Sequence, residues 1–346
     1  MAFRVQQLWR SVPRLVVVES PSSADVATAR AFLYDAERED RRIELTGSHV
    51  DQLGDRQLLW IDVSDRDGVE ALCATLGIAP ETVTRLTRAT KRVALNFHTD
   101  YFHVNVVIAS PTGLGYEAVS LDCIAGANWV LTVHEGPIEF LERFDERIRG
   151  DSQLGRLDAP ALVATFLHEH VAGFVREVEP IELELDRFDL EVMTGTVDDK
   201  AVFARLVNLR RRLSQLRRLF APHRELYGLL ARPDFEKLSD SDSHEAFGSL
   251  AERSEQALLT LETTREMIVS SFEIYTTWTA HETNKVMKLL TVASVALLPP
   301  TLVAAVMGMT WLPMVLGTPR AFEISLTVMV LLVGTALVAA RRRNWI

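Results

Sequence analysis

The sequence predicts an α+β domain built on a mixed sheet, then a long helical stalk and two C-terminal transmembrane helices. Three observations carry this. Short runs rich in Val, Ile, Leu and aromatics, punctuated by Gly, Pro and Asp, fill residues from about 14 to 135. From Pro137 onwards the hydrophobic spacing becomes helical and stays so. Two apolar segments, almost free of charge, then occupy most of residues 289–346. The corresponding domains are residues 1–155, 156–288 and 289–346, and the net negative charge lies in the first two, since the last carries Arg320, Arg341, Arg342 and Arg343 against Glu323 alone.

In the first domain, "RLVVVES", "QLLWIDVS", "VALNFHTDYFHVNVVIAS", "YEAVSLDCIAG" and "NWVLTVHE" read as strands. Between them "DRDGVEALCATLGI" and "APETVTRLTRAT" read as helices, with Pro80 in a first-turn position. Neither a GxGxxG nor a Walker loop is present, so nucleotide binding has no support. Cys73 and Cys123 are the only cysteines, too few and too far apart for a zinc ribbon or a disulfide framework. They read as small buried hydrophobes in a reducing compartment. The opening "MAFRVQQLWRSVPRL" has no uninterrupted apolar region and no small-residue cleavage site, so no signal peptide is predicted.

The middle domain holds two long helical segments, about 159–193 and 198–231, separated by the turn "TGTVDD". Gly195 lies just past a helix end, and Asp198 or Asp199 is placed to cap the next helix. Their charges are opposite: Glu177, Glu179, Glu182, Glu184, Asp186, Asp189 and Glu191 on the first, Arg205, Arg210, Arg211, Arg212, Arg217, Arg218 and Arg224 on the second. An antiparallel partner of matching length lies next in sequence, so a charge-complementary hairpin is predicted rather than a nucleic-acid surface. A third helix starts near Ser243, and Leu258, Leu261, Ile268, Phe272 and Tyr275 recur at coiled-coil-like spacing. No Pro or Gly interrupts Ser249 to Leu298, which predicts a rod running into the first span.

No hydrolytic or redox constellation is found, so no enzyme activity and no cofactor are predicted. His168 and His170 are two apart on a helix and so face different ways, whereas a chelating pair needs a spacing of about four. His98 and His103 flank a strand and read as structural.

Leu289 to Met307 contains no charge and at 1.5 Å per residue covers roughly 28 Å, about one hydrocarbon thickness. Ala321 to Ala340 is the second span; its one charge, Glu323, lies near an end, where it can reach the interface. Lys285 and Lys288 precede the first span and Arg341, Arg342 and Arg343 follow the second, against Arg320 alone in the connecting loop. Both termini are therefore predicted to be cytoplasmic, with Trp311 and Trp345 at opposite interfaces. Two spans cannot enclose an aqueous path, so transport needs several copies around an axis. Pro299–Pro300 leaves carbonyls near Val295 and Ala296 without donors, which fits either a wet pore face or a plain kink against a neighbouring helix. Asn284, at the membrane entrance, is either a surface polar residue or part of a ring that meets a hydrated ion.

The block "TNKVMKLLTVASVALLPPTLVAAVMGM", the ending "RRRNWI", the Arg-rich "LRRRLSQLRRLFAPHREL" and the strand "NWVLTVHEG" together resemble the CorA family of divalent metal ion transporters, from about residue 60 to the end. The resemblance implies a homopentamer with a funnel-shaped cytoplasmic domain in the inner membrane. First spans would line the pore, and Mg2+, Co2+ or Ni2+ would be the cargo. It places Asn284, Met287, Leu290, Thr291, Leu298, Thr301 and Ala305 along the pore, with Met287 and Leu290 as an apolar gate. Gly308, Met309 and Thr310 fall at the external mouth, where the family has Gly-Met-Asn. An Asn ring offers amide donors and acceptors to the water shell of Mg2+; Thr310 offers one hydroxyl, so its selection is expected to differ. The family's acidic residue after Met-Pro is missing from "WLPMVLGTPR", leaving Glu323 as the nearest carboxylate. The family's cytoplasmic metal-sensing pair of Asp residues falls here on Ser249, with Glu252 a turn later, and on "TVTRLTR", which has no acid. A zinc carrier of the ZntB type, proton-coupled or not, and a non-conducting sensor or scaffold are the alternatives these departures leave open.

Overall fold

The computed structural model describes residues 29–37, 40–43, 53–54, 56–113, 115–147, 158–196, 199–232, 241–307 and 319–342. The chain divides into two compact units, Met1–Glu182 with Val207–Arg265, and Leu183–Leu206 with Glu266–Ile346.

The first unit is built on strands β1 (Ala29–Asp35), β2 (Arg41–Ile43), β3 (Gln57–Val63), β4 (Ala94–Phe97), β5 (Phe102–Thr112), β6 (Gly115–Ala125) and β7 (Trp129–His134). Among the described residues they form one seven-stranded sheet in the order β2-β1-β3-β7-β6-β5-β4. The β3–β7 pair is parallel and the others antiparallel, so the sheet is mixed as expected. The strand expected at "RLVVVES" lies outside the described residues, and β1, "ARAFLYD", was not foreseen. The long run from Val93 to Ser110 is two strands, because His98 to Asp100 turn the chain and the His98 N–H donates to the Tyr101 carbonyl at 2.9 Å.

One sheet face packs Leu59, Ile61, Val63, Ile124, Leu131 and Val133 against helices α1 (Val69–Thr75) and α2 (Pro80–Thr87). Pro80 opens α2, where its missing N–H costs nothing. The other face packs Trp60 edge-on against Phe144 of α3 (Glu139–Arg147) and at a tilt against Phe166 of α4 (Ala159–Thr194). The Trp60 indole donates to Thr132 at 3.0 Å, and Thr132 donates in turn to Asp62 at 2.6 Å. Burial alone would raise the Asp62 pKa, but hydrogen bonds and charge from His134, with Thr132 and Arg30, hold it below the usual range. Cys73 and Cys123 are buried thiols, as expected, and burial pushes Cys73 up to about 12.

The segment expected as one helix over 198–231 is two, α5 (Asp199–Phe220) and α6 (His223–Leu230), because Pro222 cannot continue the hydrogen-bond ladder. That break serves the sheet. Strand β4 covers only residues 102–105 of β5, so the N–H and C=O of Val107 face an open edge. His223 Nε2 accepts from the Val107 N–H at 3.0 Å, and His170 Nε2 donates to the Val107 carbonyl at 3.0 Å. Tyr227 donates to His170 Nδ1 at 2.6 Å, and His223 Nδ1 donates to Phe220 O at 3.1 Å. Both imidazoles are thereby committed as neutral rings. A second proton on His223 would point at another donor.

Burial lowers the His170 pKa to about 4 and moves His223 well below its usual value, the latter helped by His170. Below about pH 6.5 the unfolded chain takes up protons that the folded rings refuse. The stability of this clamp is thus full above pH 6.5 and is lost as pH falls towards about 4, by about 3 kcal/mol for His170. Thermal unfolding of the detergent-solubilised protein across that window is expected to show this loss, and a His170→Phe variant, less stable at pH 7, to show a smaller one, since His223 remains. The same slope in both would remove His170 from the role.

Helices α4 and α5 carry buried stripes at steps of three and four. In α4 these are Ala164, Leu167, Val171, Phe174, Val178, Ile181, Leu185, Phe188 and Val192; in α5, Val202, Leu206, Leu209, Leu213, Leu216 and Phe220. Helix α7 (Ser241–Met307) follows the same rule with Phe247, Leu250, Ser254, Ala257, Leu261, Thr264, Ile268 and Ser271. This corrects the expected seam: Leu261 and Ile268 belong to it, but Phe272 is 43% exposed and Ser271 takes its place. The hydroxyls in the seam have partners. In the first unit Thr264 donates to Glu182 at 2.6 Å; in the second, Ser271 donates to Asp189 at 2.9 Å. The expected charge pairing between α4 and α5 is met by Arg205–Glu191 at 2.5 Å, whereas Arg217 turns to Glu262 and the α6 residue Arg224 to Glu255, both on α7. The α4 turn ends as predicted, with Gly195 at φ 70° donating to the Val192 carbonyl.

Candidate functional site

The candidate site is the C-terminal half of α7, in the second unit. Among the described residues α7 is the helix long and apolar enough to cross a membrane. It runs through Pro299–Pro300 to Met307 as one continuous helix. Helix α8 (Pro319–Arg342) follows it in the same unit.

Burial separates the faces of α7. Val292 is 7% exposed, and Ala296, Pro299 and Val303 are half-buried on the same side. Helix α8 has a matching stripe, Met329, Val333, Ala336 and Ala340, of which Ala340 is 6% exposed. Stripes of this kind are what two helices packed side by side leave. The opposite face of α7 is bare: Leu290 is 66% exposed and Leu298 65%, with Asn284, Met287, Thr301 and Ala305 also exposed and Thr291 half-buried. Asn284, Met287, Thr291, Leu298, Thr301 and Ala305 share one stripe at steps of three, four and seven, and Leu290 flanks it.

One member was missed from sequence. Ser294 falls between Thr291 and Leu298 in the same 4-3 rhythm and is exposed. The spacing itself could have found it. The hydroxyls share a second property. Thr291 donates to the Met287 carbonyl at 2.8 Å, Ser294 to Leu290 at 2.9 Å and Thr301 to Leu298 at 2.8 Å. Their protons are spent on the backbone, so each turns oxygen lone pairs outward, suited to accept hydrogen bonds from water.

Gly308, Met309 and Thr310 lie outside the described residues, as do Trp311, Arg343 and Trp345. Glu323 is exposed on α8 and Glu252 is exposed on α7, in different units. Among the described residues no group of three or more His, Cys, Asp or Glu is placed to hold a metal ion. His168 and His170 are apart as predicted: His168 Nε2 bonds the Ala246 carbonyl at 3.1 Å, while His170 belongs to the clamp on β5.

A family model described as CorA-like Mg2+ transporter protein matches residues 55–342. The chain belongs to the CorA family. It is 26% identical over 298 residues to the cobalt/magnesium transport protein CorA of Thermotoga maritima, covering 83% of each chain. Its fold is that of the complete CorA magnesium transporter from Methanocaldococcus jannaschii, with a TM-score of 0.72 at 19% identity, covering 96% of this chain and all of that one. The full-length CmaX protein is similar in fold as well, with a TM-score of 0.67 at 23% identity over 94% of this chain and all of that one. Membership of CorA accounts for the mixed-sheet domain and the long helix in one chain.

Proposed function

We propose that this CorA-family chain forms a homopentamer in the inner (plasma) membrane and passes hydrated divalent cations, Mg2+ above all and also Co2+ and Ni2+. Residues 1–155 and 156–288 form its cytoplasmic domains and residues 289–346 its two-span membrane domain, with both termini cytoplasmic. Copies of α7 surround the axis and α8 lies outside. The observation that supports this most is the bare stripe of α7, which alternates apolar residues with hydroxyl acceptors on the side away from the covered face. Such a surface suits an ion that keeps its waters, because Mg2+ dehydrates reluctantly and offers hydrogens, not lone pairs, to the wall.

Transport is passive in this reading. A potential of 100 mV supplies roughly 2.3 kcal/mol per charge, so about 4.6 kcal/mol for a divalent ion, enough to drive uptake without ATP. The apolar gate is formed by Met287 and Leu290, and Gly308, Met309 and Thr310 close the external mouth with a hydroxyl ring in place of an amide ring.

Proteoliposomes loaded with a divalent-sensitive dye test the reading. Mg2+ and Co2+ influx is expected to follow an imposed inside-negative potential and to be blocked by a hexammine cation that mimics the hydrated ion. Silence from verified pentamers would leave the sensor or scaffold role. Zn2+ flux that follows a proton gradient would assign the chain to ZntB-type transport instead.

A further inference from the structure

The CorA fold implies a regulatory divalent cation between subunits, held by carboxylates on the α/β domain and at the top of the long helix. The side chains present do not fit that ion. Along α2, Thr82 is buried and its hydroxyl is shared with His98 and Tyr101 at 3.1 and 3.0 Å. Thr84 donates to the Pro80 carbonyl at 2.9 Å and Thr87 to the Val83 carbonyl at 3.2 Å. What α2 turns outward is charge of the wrong sign: Arg85 and Arg88 on one face, against the single carboxylate Glu81, with Lys91 and Arg92 just beyond. A hard cation that wants six or more oxygens finds two guanidinia there.

On α7, Ser249 donates to the Ala246 carbonyl at 2.9 Å and lies 3.2 Å from His168 Nε2. Around it, at steps of four and three, Glu245 and Glu252 are exposed and have no hydrogen bond or ion pair among the described residues. The same holds for the side chains of Arg88 and Arg92, while Arg85 bonds the Asn96 side chain and Lys91 pairs with Glu117 at 3.6 Å. A chain of formal charge -10 thus carries a cationic face and a carboxylate stripe whose Arg88, Arg92, Glu245 and Glu252 side chains have no ion pair among the described residues. In a ring of identical copies joined head to tail, each copy brings both halves to every interface.

We propose that the Arg85–Arg88 face of one protomer docks on the Glu245–Glu252 stripe of α7 in the next, so that direct ion pairs hold the cytoplasmic interface and no internal divalent cation is needed there. The proposal rests on the pentamer put forward above. It has a consequence for regulation: millimolar changes in internal Mg2+ leave the interface as it is, whereas salt, which screens exposed charge, loosens it.

Hydrogen exchange of the detergent-solubilised assembly tests this, after mass photometry has established its size. A monomer would sink the pentamer reading itself, before the interface comes into question. For pentamers, protection of residues 80–92 and 245–256 is expected to be equal in EDTA and in millimolar Mg2+ and to fall with NaCl; protection that needs Mg2+ would overturn the proposal. The double variant Arg85→Glu, Arg88→Glu is expected to lose protection at least about fivefold in EDTA, the lower end of ordinary coupling between sites. Millimolar Mg2+ is expected to restore it, since carboxylates then face carboxylates. Adding Glu245→Arg and Glu252→Arg is expected to restore it without Mg2+. Unchanged protection in the double variant would overturn the contact, and failure of both rescues would reduce it to a folding defect.

Discussion

Ser294→Lys is expected to reduce divalent-cation influx into proteoliposomes by at least about a hundredfold, with pentamer assembly preserved. The residue sits in the middle of the bare stripe of α7, one step from Thr291 and one from Leu298. If the stripe lines the axis, each copy adds a cation where the ion must pass. At a separation of about 5 Å and an effective dielectric constant near 20, one unit charge opposes another by about 3 kcal/mol, and a divalent ion feels twice that from each copy. A hundredfold needs only about 2.7 kcal/mol, so the expected block is conservative. Ser294→Ala, which deletes one acceptor and adds no charge, is expected to change influx by less than tenfold. Full flux through a correctly inserted Ser294→Lys pentamer would take the stripe off the conduction route.

The second large effect is on the fold. Arg66 is buried in the first unit, donating to Asp122 at 2.9 Å and to the Leu86 carbonyl. Asp122 also accepts from His103 at 2.8 Å and from Asn105 at 2.6 Å, inside a sheet that water does not reach. Arg66→Met keeps the volume and removes the guanidinium, leaving the Asp122 side chain with only its His103 and Asn105 partners. Breaking one partner of such a pair costs about 3–5 kcal/mol, whereas replacing both with apolar residues is often close to neutral. The single variant is therefore expected to unfold at markedly lower urea, followed by tryptophan fluorescence, and Arg66→Met with Asp122→Leu to recover most of the loss. A single variant within 1 kcal/mol of the parent would mean that the network does not act as a unit.

Much of this architecture was legible from residue patterns, and the failures have physical causes. Strands β3, β6 and β7 announced themselves through β-branched and aromatic runs. Strand β1 did not, because "ARAFLYD" starts with small and charged residues and takes its place through pairing with β3. The seam of α7 was misplaced by one residue at two positions, Ala257 for Leu258 and Ser271 for Phe272, since a search for large apolar side chains passes over small and hydroxyl residues. Ser294 escaped for the same reason. The His170–His223 clamp could not be read at all: its partner is the backbone of Val107, and a backbone edge left open by a short neighbouring strand has no sequence signature. At the stripe, the resemblance named the positions, while the coordinates put them along one side of α7 and gave the direction of the hydroxyl protons.

The hydroxyl rungs of α7 restrict how that helix can move. Each of Thr264 and Ser271 meets a carboxylate a fixed distance along α4, and between the rungs the seam is apolar. Within each unit, sliding α7 lengthwise by a single turn would press that unit's carboxylate, Glu182 or Asp189, against hydrocarbon, so axial slip is penalised at each place. Each rung is thus expected to hold the register of α7 against α4 inside its own unit, as a pin holds a sliding rule at one mark.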